Sequence, residues 1–195
     1  MTTVARPVGR PRRADLDGAI LEATLVEYGA HGFDAMSVDS VATRAGVGKA
    51  TVYRRWDSKL ALVAAALEFV GEQKPIPATG SLAGDVDAIL HHLASLTHDP
   101  VHGASLRHIV GDGMRNPALR DVYAAFVHGR RAITKDLLQQ AVDRGEMRAD
   151  VDLDLAADLL AGPVFNRHLI TRLPIDDAFL LDLQASFVAA VGVAH

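Results

Sequence analysis

Between Lys49 and Lys59 the chain places four cations, a hydroxyl and a phenol: Lys49, Thr51, Tyr53, Arg54, Arg55 and Lys59. Together they suit recognition of a polyanion rather than bond-making. Lys and Arg neutralise phosphates or donate to guanine edges, and Thr contacts a base or a thymine methyl. Ala50 is small enough to let the backbone approach a groove. Val52 and Trp56, four apart, point the other way. That leaves Lys49, Ala50, Thr51, Tyr53, Arg54 and Arg55 on the outer arc of one short helix. The plainer alternative is a helical hairpin with a solvated basic face. It would not require two aromatics beside three cations, nor two glycines in so short a turn.

The elements that position these residues run from Ser37 to Lys59. Val38, Val41, Ala42 and Ala45 mark one face of a first helix, and Gly46-Val47-Gly48 separates it from the second. Gly46 suits a left-handed helix end, and Gly48 is an acceptable cap for the next helix. Two helices across such a turn form a helix-turn-helix, whose second helix enters a DNA major groove.

The run V-A-T-R-A-G-V-G-K-A-T-V-Y-R-R-W-D-S-K-L-A-L resembles the DNA-binding domain of the TetR (tetracycline repressor) family of transcriptional regulators. The preceding I-L-E-A-T-L-V-E-Y-G-A-H-G-F-D-A-M-S-V is similar to that family's first helix and the turn after it. The resemblance is specific over residues 18–67 and looser beyond. It implies that Ser37 caps the second helix and touches phosphate, and that Lys49, Ala50, Thr51, Tyr53 and Arg54 take the recognition positions. It also implies that Lys59 holds backbone phosphate. Gly48 stands where Ser is common in the family, and Trp56 where Phe is common.

The whole chain has a net charge of −4, which by itself argues against nucleic acid. The distribution reverses that argument. Residues 1–60 hold nine Lys+Arg against seven Asp+Glu, leaving the rest of the chain net −6. Arg6, Arg10, Arg12 and Arg13 form one cationic block. Arg44, Lys49, Arg54, Arg55 and Lys59 form a second, opposed locally by Asp57. A DNA-binding head on an acidic body has this asymmetry. Gly9-Arg10-Pro11 resembles a minor-groove AT-hook segment; a disordered solubilising tail is the alternative. Arg12 and Arg13 are assigned to DNA as part of a flexible basic arm, residues 1–13.

There is no Cys among the 195 residues, so disulfides, thiolate metal sites and a Cys nucleophile are excluded. No secretory signal is legible, and the longest apolar run, Leu60 to Leu67, is too short to span a bilayer. The expected setting is cytoplasmic, with no membrane partner.

The periodicity is helical throughout. Helix 1 is expected over about 14–31, and Ser58 and Ser81 cap helices 4 and 5. Helix 6 is expected over about 104–115, and Asn116-Pro117 opens helix 7. Helix 8 is expected over about 153–172 with a kink at Pro163, and helix 9 over about 176–191. The apolar residues of helix 9 cover an arc of about 200°, twice what a monomer's surface helix needs. The family resemblance implies that a second copy covers the surplus, in a four-helix seam. Leu159, Phe179, Leu183, Phe187 and Val191 are the expected interface residues.

The fold expected is all-α, about nine helices: a three-helix DNA-binding domain over 14–60 and an effector-binding and dimerisation domain over 61–195. The family places its effector pocket among helices 5 to 8, where the candidates are Leu93, Ile109, Met114, Tyr123, Phe126, Arg130, Phe165 and Asn166. Aromatic and Met residues at helical spacing are more often core than pocket. Nine His invite a metal, but no pair sits on one helical face with a carboxylate, so neither metal nor cofactor is expected. No phosphate loop, nucleophile elbow or paired-carboxylate motif points to an enzyme. The reading is a homodimeric regulator that binds a near-palindromic double-stranded operator and is released by a small-molecule effector. The rivals are an all-helical carrier or enzyme without DNA affinity, and an effector-independent activator.

Overall fold

The computed structural model describes residues 13–73 and 76–193. Among them the regular structure is nine α-helices and one π-helical segment, with an isolated bridge between Met147 and Gly192. The helices are α1 (Arg13–Ala35), α2 (Val38–Arg44), α3 (Lys49–Tyr53), α4 (Lys59–Gln73), α5 (Leu82–His98), α6 (Pro100–Gly113), α7 (Pro117–Asp143), α8 (Leu153–Phe165) and α9 (Asp177–Val191).

Side-chain caps set most of the boundaries. Ser37, Ser81, Asp99, Asn116, Asp152 and Asp176 each accept a backbone N–H from the first turn of the helix that follows. Ser58 Oγ does the same for Ala61 N–H at 3.1 Å. Helix α6 begins at Pro100, four residues before the sequence expectation. Asp99 closes α5 and caps α6 at once, with Pro100 at the first helical position. Helix α1 runs on to Ala35 but is broken at Gly32 (φ 74°, ψ 177°). The expected kink at Pro163 is displaced. Pro163 lies inside α8, and the winding changes at Asn166, where a π-helical segment runs to Thr171 and ends on left-handed Arg172.

Two apolar clusters hold the chain together. The first joins α1 to α4 through Ile20, Tyr28, Val41, Val52 and Leu62, and extends to Leu106 and Ile109 of α6 and Leu119 of α7. The second joins α5, α7, α8 and α9 through Ile89, Leu138, Leu160 and Phe187. Helix α4, expected to open the body at residue 61, contributes Leu62, Val63, Ala66, Leu67 and Val70 to the first cluster. Head and body therefore share a core along α1, α4 and α6.

Polar ties reinforce that packing. Asp85 is fully buried and accepts Thr79 N–H, the Thr79 hydroxyl and Arg144 Nη2 at 2.7–2.8 Å. Burial opposes its charge, but those donors outweigh it and hold the carboxyl below the usual carboxylate range. This fastens the link before α5 to the end of α7. His168 Nε2, 3.0 Å from Gly103 O, ties the π-helical segment to α6.

Candidate nucleic-acid interface

The turn between α2 and α3 forms as its residue types require. Gly46 takes φ 68°, where a side chain would be strained, and Gly48 is the extended N-cap of α3. Val52 is buried, and Trp56 is partly buried against the first cluster. The opposite face is outward: Lys49, Ala50, Tyr53 and Arg54 are exposed and Thr51 is partly so. Ser37 Oγ accepts Ser40 N–H at 3.0 Å, while Ser40 Oγ accepts Ser37 N–H at 3.3 Å. That reciprocal box fixes the entry to α2.

The second cationic block is more compensated than its sequence suggests. Arg44 Nε lies 2.7 Å from buried Glu27, whose carboxyl this guanidinium holds below its usual range. Arg55 is tied to Asp17 and also donates to Thr51 O at 3.0 Å. Lys49 pairs with Asp39 at 2.7 Å, an exposed contact that water screens and an approaching phosphate can replace. Asp57 is thus not the local counter-charge: Asp17, Glu27 and Asp39 reach in from α1 and α2. Sequence order hid them because they are 10 to 38 residues away in the chain.

Arg54 and Lys59 have different settings. Arg54 Nη2 donates to Thr51 Oγ1 at 2.9 Å, so the two expected base-reading side chains stand together on the exposed face. Lys59 Nζ donates to Phe33 O at 2.6 Å and Met36 O at 3.2 Å, and sits 4.4 Å above the Phe33 ring. It satisfies carbonyls at the end of α1. Arg12 lies outside the described residues, as does the side chain of Arg13.

In the body, a cavity of about 70 Å³ lies among α5, α6, α7 and α8. Five of the eight expected effector residues line it: Leu93, Tyr123, Phe126, Arg130 and Phe165. The other three do not. Ile109 is fully buried in the first cluster, Met114 is 86% exposed where α6 gives way to α7, and Asn166 is exposed at the start of the π-helical segment. His92 is a lining residue outside the set expected from the sequence. Its spacing from Ile89, Leu93 and Leu96 on one face of α5 was the available signal. Arg130 Nη2 lies 2.7 Å from His92 Nε2. A guanidinium only donates, so Nε2 is the accepting nitrogen.

Comparison with known proteins decides the family. Residues 20–66 match the family described as bacterial regulatory proteins, tetR family, and residues 76–186 match the tetracyclin repressor-like C-terminal domain. The HTH-type transcriptional regulator YdeS of Bacillus subtilis is 34% identical over 177 residues, covering 90% of this chain and 89% of YdeS. The DNA-binding transcriptional repressor TetR of Mycobacteroides abscessus is 32% identical, covering 88% and 89% of the two chains. The chain belongs to the TetR family. The crystal structure of the TetR family transcription regulator SCO0332 superposes with a TM-score of 0.73 at 28% identity, covering 92% of this chain and 99% of that one.

This TetR-family chain is a DNA-binding transcriptional regulator and not an enzyme. No helix among the described residues is long and apolar enough to cross a membrane. No group of three or more His, Asp or Glu among them could hold a metal ion.

The expected dimer residues divide. Leu159 is 50% exposed, and Phe179 and Leu183 are partly buried. Phe187 and Val191 are instead buried in the chain's own second cluster, facing inward with α5 residues such as Ile89 and Leu90. The open apolar side chains of α8 and α9 are Leu155, Leu159 and Leu181, at 56%, 50% and 63% exposure. The arc of helix 9 thus splits between an internal side and an open side.

Proposed function

We propose that this regulator acts as a homodimeric repressor that leaves a near-palindromic operator when a small molecule enters the body cavity. The observation that carries the release step is a shared wall. Leu96, Leu106 and Phe126 line the main cavity, and also a smaller one closed by Leu25 of α1 and by Leu67 and Val70 of α4. A ligand that shifts Phe126 or Leu106 therefore presses on the helices that carry the head. Helix α4 begins at Lys59, which grips the end of α1, so its displacement moves α2 and α3 with it. Only a difference in ligand affinity between the two arrangements is needed, a coupling of about 1–3 kcal/mol.

Pairing through the open face of α8 and α9 supports the dimer. Leucines exposed by half or more on adjacent helices are best covered by the same face of a second copy. Two heads would then reach successive major grooves about 34 Å apart. The side chains assigned to the duplex are Ser37, Lys49, Ala50, Thr51, Tyr53, Arg54 and Lys59, with Arg12 and Arg13 of the arm. The test is anisotropy with DNA flanking the chain's own gene. Binding should prefer one inverted repeat, fall steeply with salt, and weaken when an effector is added. Affinity indifferent to sequence would reject the operator; affinity indifferent to every bound ligand would reject release.

A further inference from the structure

We propose that the body cavity takes an apolar molecule carrying one carboxylate, with the acid end on Arg130 beside His92 and the tail against α5, α6 and α8. The proposal rests on the effector reading only in giving this cavity a ligand. The carrying observation is the sign of its polar groups. Every ionisable lining side chain is basic or phenolic: His92, Tyr123, Arg130 and Arg131. No Asp or Glu lines it. Arg131 is turned to the outer edge, where it pairs with Asp154 and Asp158 of α8. Arg130 Nη2 is directed to the His92 ring nitrogen at the cavity wall.

Apart from the Thr134 hydroxyl, the rest of the lining is apolar. Ile89, Leu93 and Leu96 come from α5, Leu106 from α6, and Leu160 and Phe165 from α8. Burial lowers the pKa of Arg130 from its ordinary value, and so marks a charge placed at a cost in a weakly solvated site. An incoming anion offsets that cost, an amide offsets little of it, and an amine adds to it. Tyr123 is held as a neutral donor because burial raises its phenol pKa. Arg130 can only donate and the Tyr123 phenol keeps a proton to donate, and a planar carboxylate suits a guanidinium fork. The tail needs no polar partner. The cavity is smaller than a typical ligand site, so Phe126 and Leu106 must give way as the tail enters, at the wall shared with α1 and α4.

The test uses full-length protein and two matched trios: octanoate, octanamide and octylamine, then benzoate, benzamide and benzylamine. Calorimetry should give each acid an affinity about tenfold or more above its amide, with the amine weakest. Arg130→Gln should bring the acid down to the amide while leaving amide affinity unchanged, which also reports an intact cavity. Arg130→Lys should keep a preference for the acid. Amides or amines binding as tightly as acids would overturn the proposal, as would an acid preference that survives Arg130→Gln. Should Arg130→Gln fail to fold, the wild-type ranking decides alone. Failure of all six to bind at millimolar concentration also overturns it. Operator affinity on the same samples separates the two readings. Acids that bind preferentially without moving it leave the ligand class standing and sink release. A neutral or cationic effector that does release DNA has the opposite meaning.

Discussion

The carboxylate of Asp112 in α6 lies 2.9 Å from the backbone N–H of Phe33, immediately after α1 breaks at Gly32. The same oxygen accepts the Tyr28 hydroxyl at 3.3 Å, and the other oxygen takes Arg115 Nη2 at 2.7 Å. Burial, with the Asp112 charge beside it, pushes the Tyr28 phenol pKa above its ordinary range and keeps the phenol a donor. One buried carboxylate of the body thus holds the last turn of the head's first helix. Nothing in the local pattern of either helix announces it, because the partners are 79 and 84 residues apart.

Asp112→Ala should leave the Phe33 N–H and the Tyr28 hydroxyl without this acceptor. The expected loss is about 1–3 kcal/mol, read as a fall in thermal midpoint of several degrees. Gly32→Ala should weaken the same joint by another route. Its φ is 74°, and an added Cβ would stand 2.9 Å from His108 Nδ1 and 3.4 Å from Asp112 Oδ2. A midpoint unchanged in both variants would remove this tie from the account of head–body coupling.

Acid should unfold the chain through Asp85 and Glu27. Both carboxyls are held below their ordinary values in the folded state, Glu27 by Arg44 and Asp85 by the Thr79 and Arg144 donors against burial. A depressed folded pKa means the unfolded chain binds the proton more readily. The stabilisation is complete above the unfolded values, about 4, and is lost as pH falls through the lower folded ones. Asp85→Asn should cost stability at pH 7 and flatten the dependence below pH 4. Urea midpoints from pH 3 to pH 7 measure both effects.

Helix-turn-helix geometry was legible because its determinants are local. A glycine at φ 68° and Val52 four residues before Trp56 act within two turns of chain. The caps at Ser37, Ser58, Ser81 and Asn116 are local for the same reason. What remained hidden depends on residues that meet only in the folded chain. The counter-charges Asp17 and Glu27 cancel part of a basic block that local sequence opposes only with Asp57. Phe187 and Leu181 lie six apart on one helix, both apolar, and only the position of α5 decides which is core. Leu93 and Ile109 were equally good pocket candidates by type, and the packing of α6 against α1 took Ile109 out of reach.

Arg54→Ala should lower operator affinity by about 1–3 kcal/mol and relax preference at one base position. Its guanidinium rests on Thr51 Oγ1, so Thr51→Ala should change base preference through Arg54 as well as directly. Tyr53→Phe should weaken all sequences alike. Lys59→Ala should do so too, but with a lower thermal midpoint, because Phe33 O and Met36 O lose their donor. Anisotropy against the operator and single-base variants separates these classes. Equal losses on every site for Arg54→Ala would move that residue to the phosphate contacts.

Leu159→Asp and Leu181→Asp test the open face of α8 and α9. Each side chain is at least half exposed, so a charge there should leave the single chain folded. If the face pairs with a second copy, the charge would be buried without a partner, and sedimentation should show monomer at micromolar concentration. Operator affinity should fall with it, because one head loses the help of the other. Phe187→Ala gives the contrasting outcome. Its ring is 5% exposed within the second cluster, so truncation should cost about 3–5 kcal/mol of chain stability. A dimer that survives both aspartates would place the subunit contact elsewhere on the molecule.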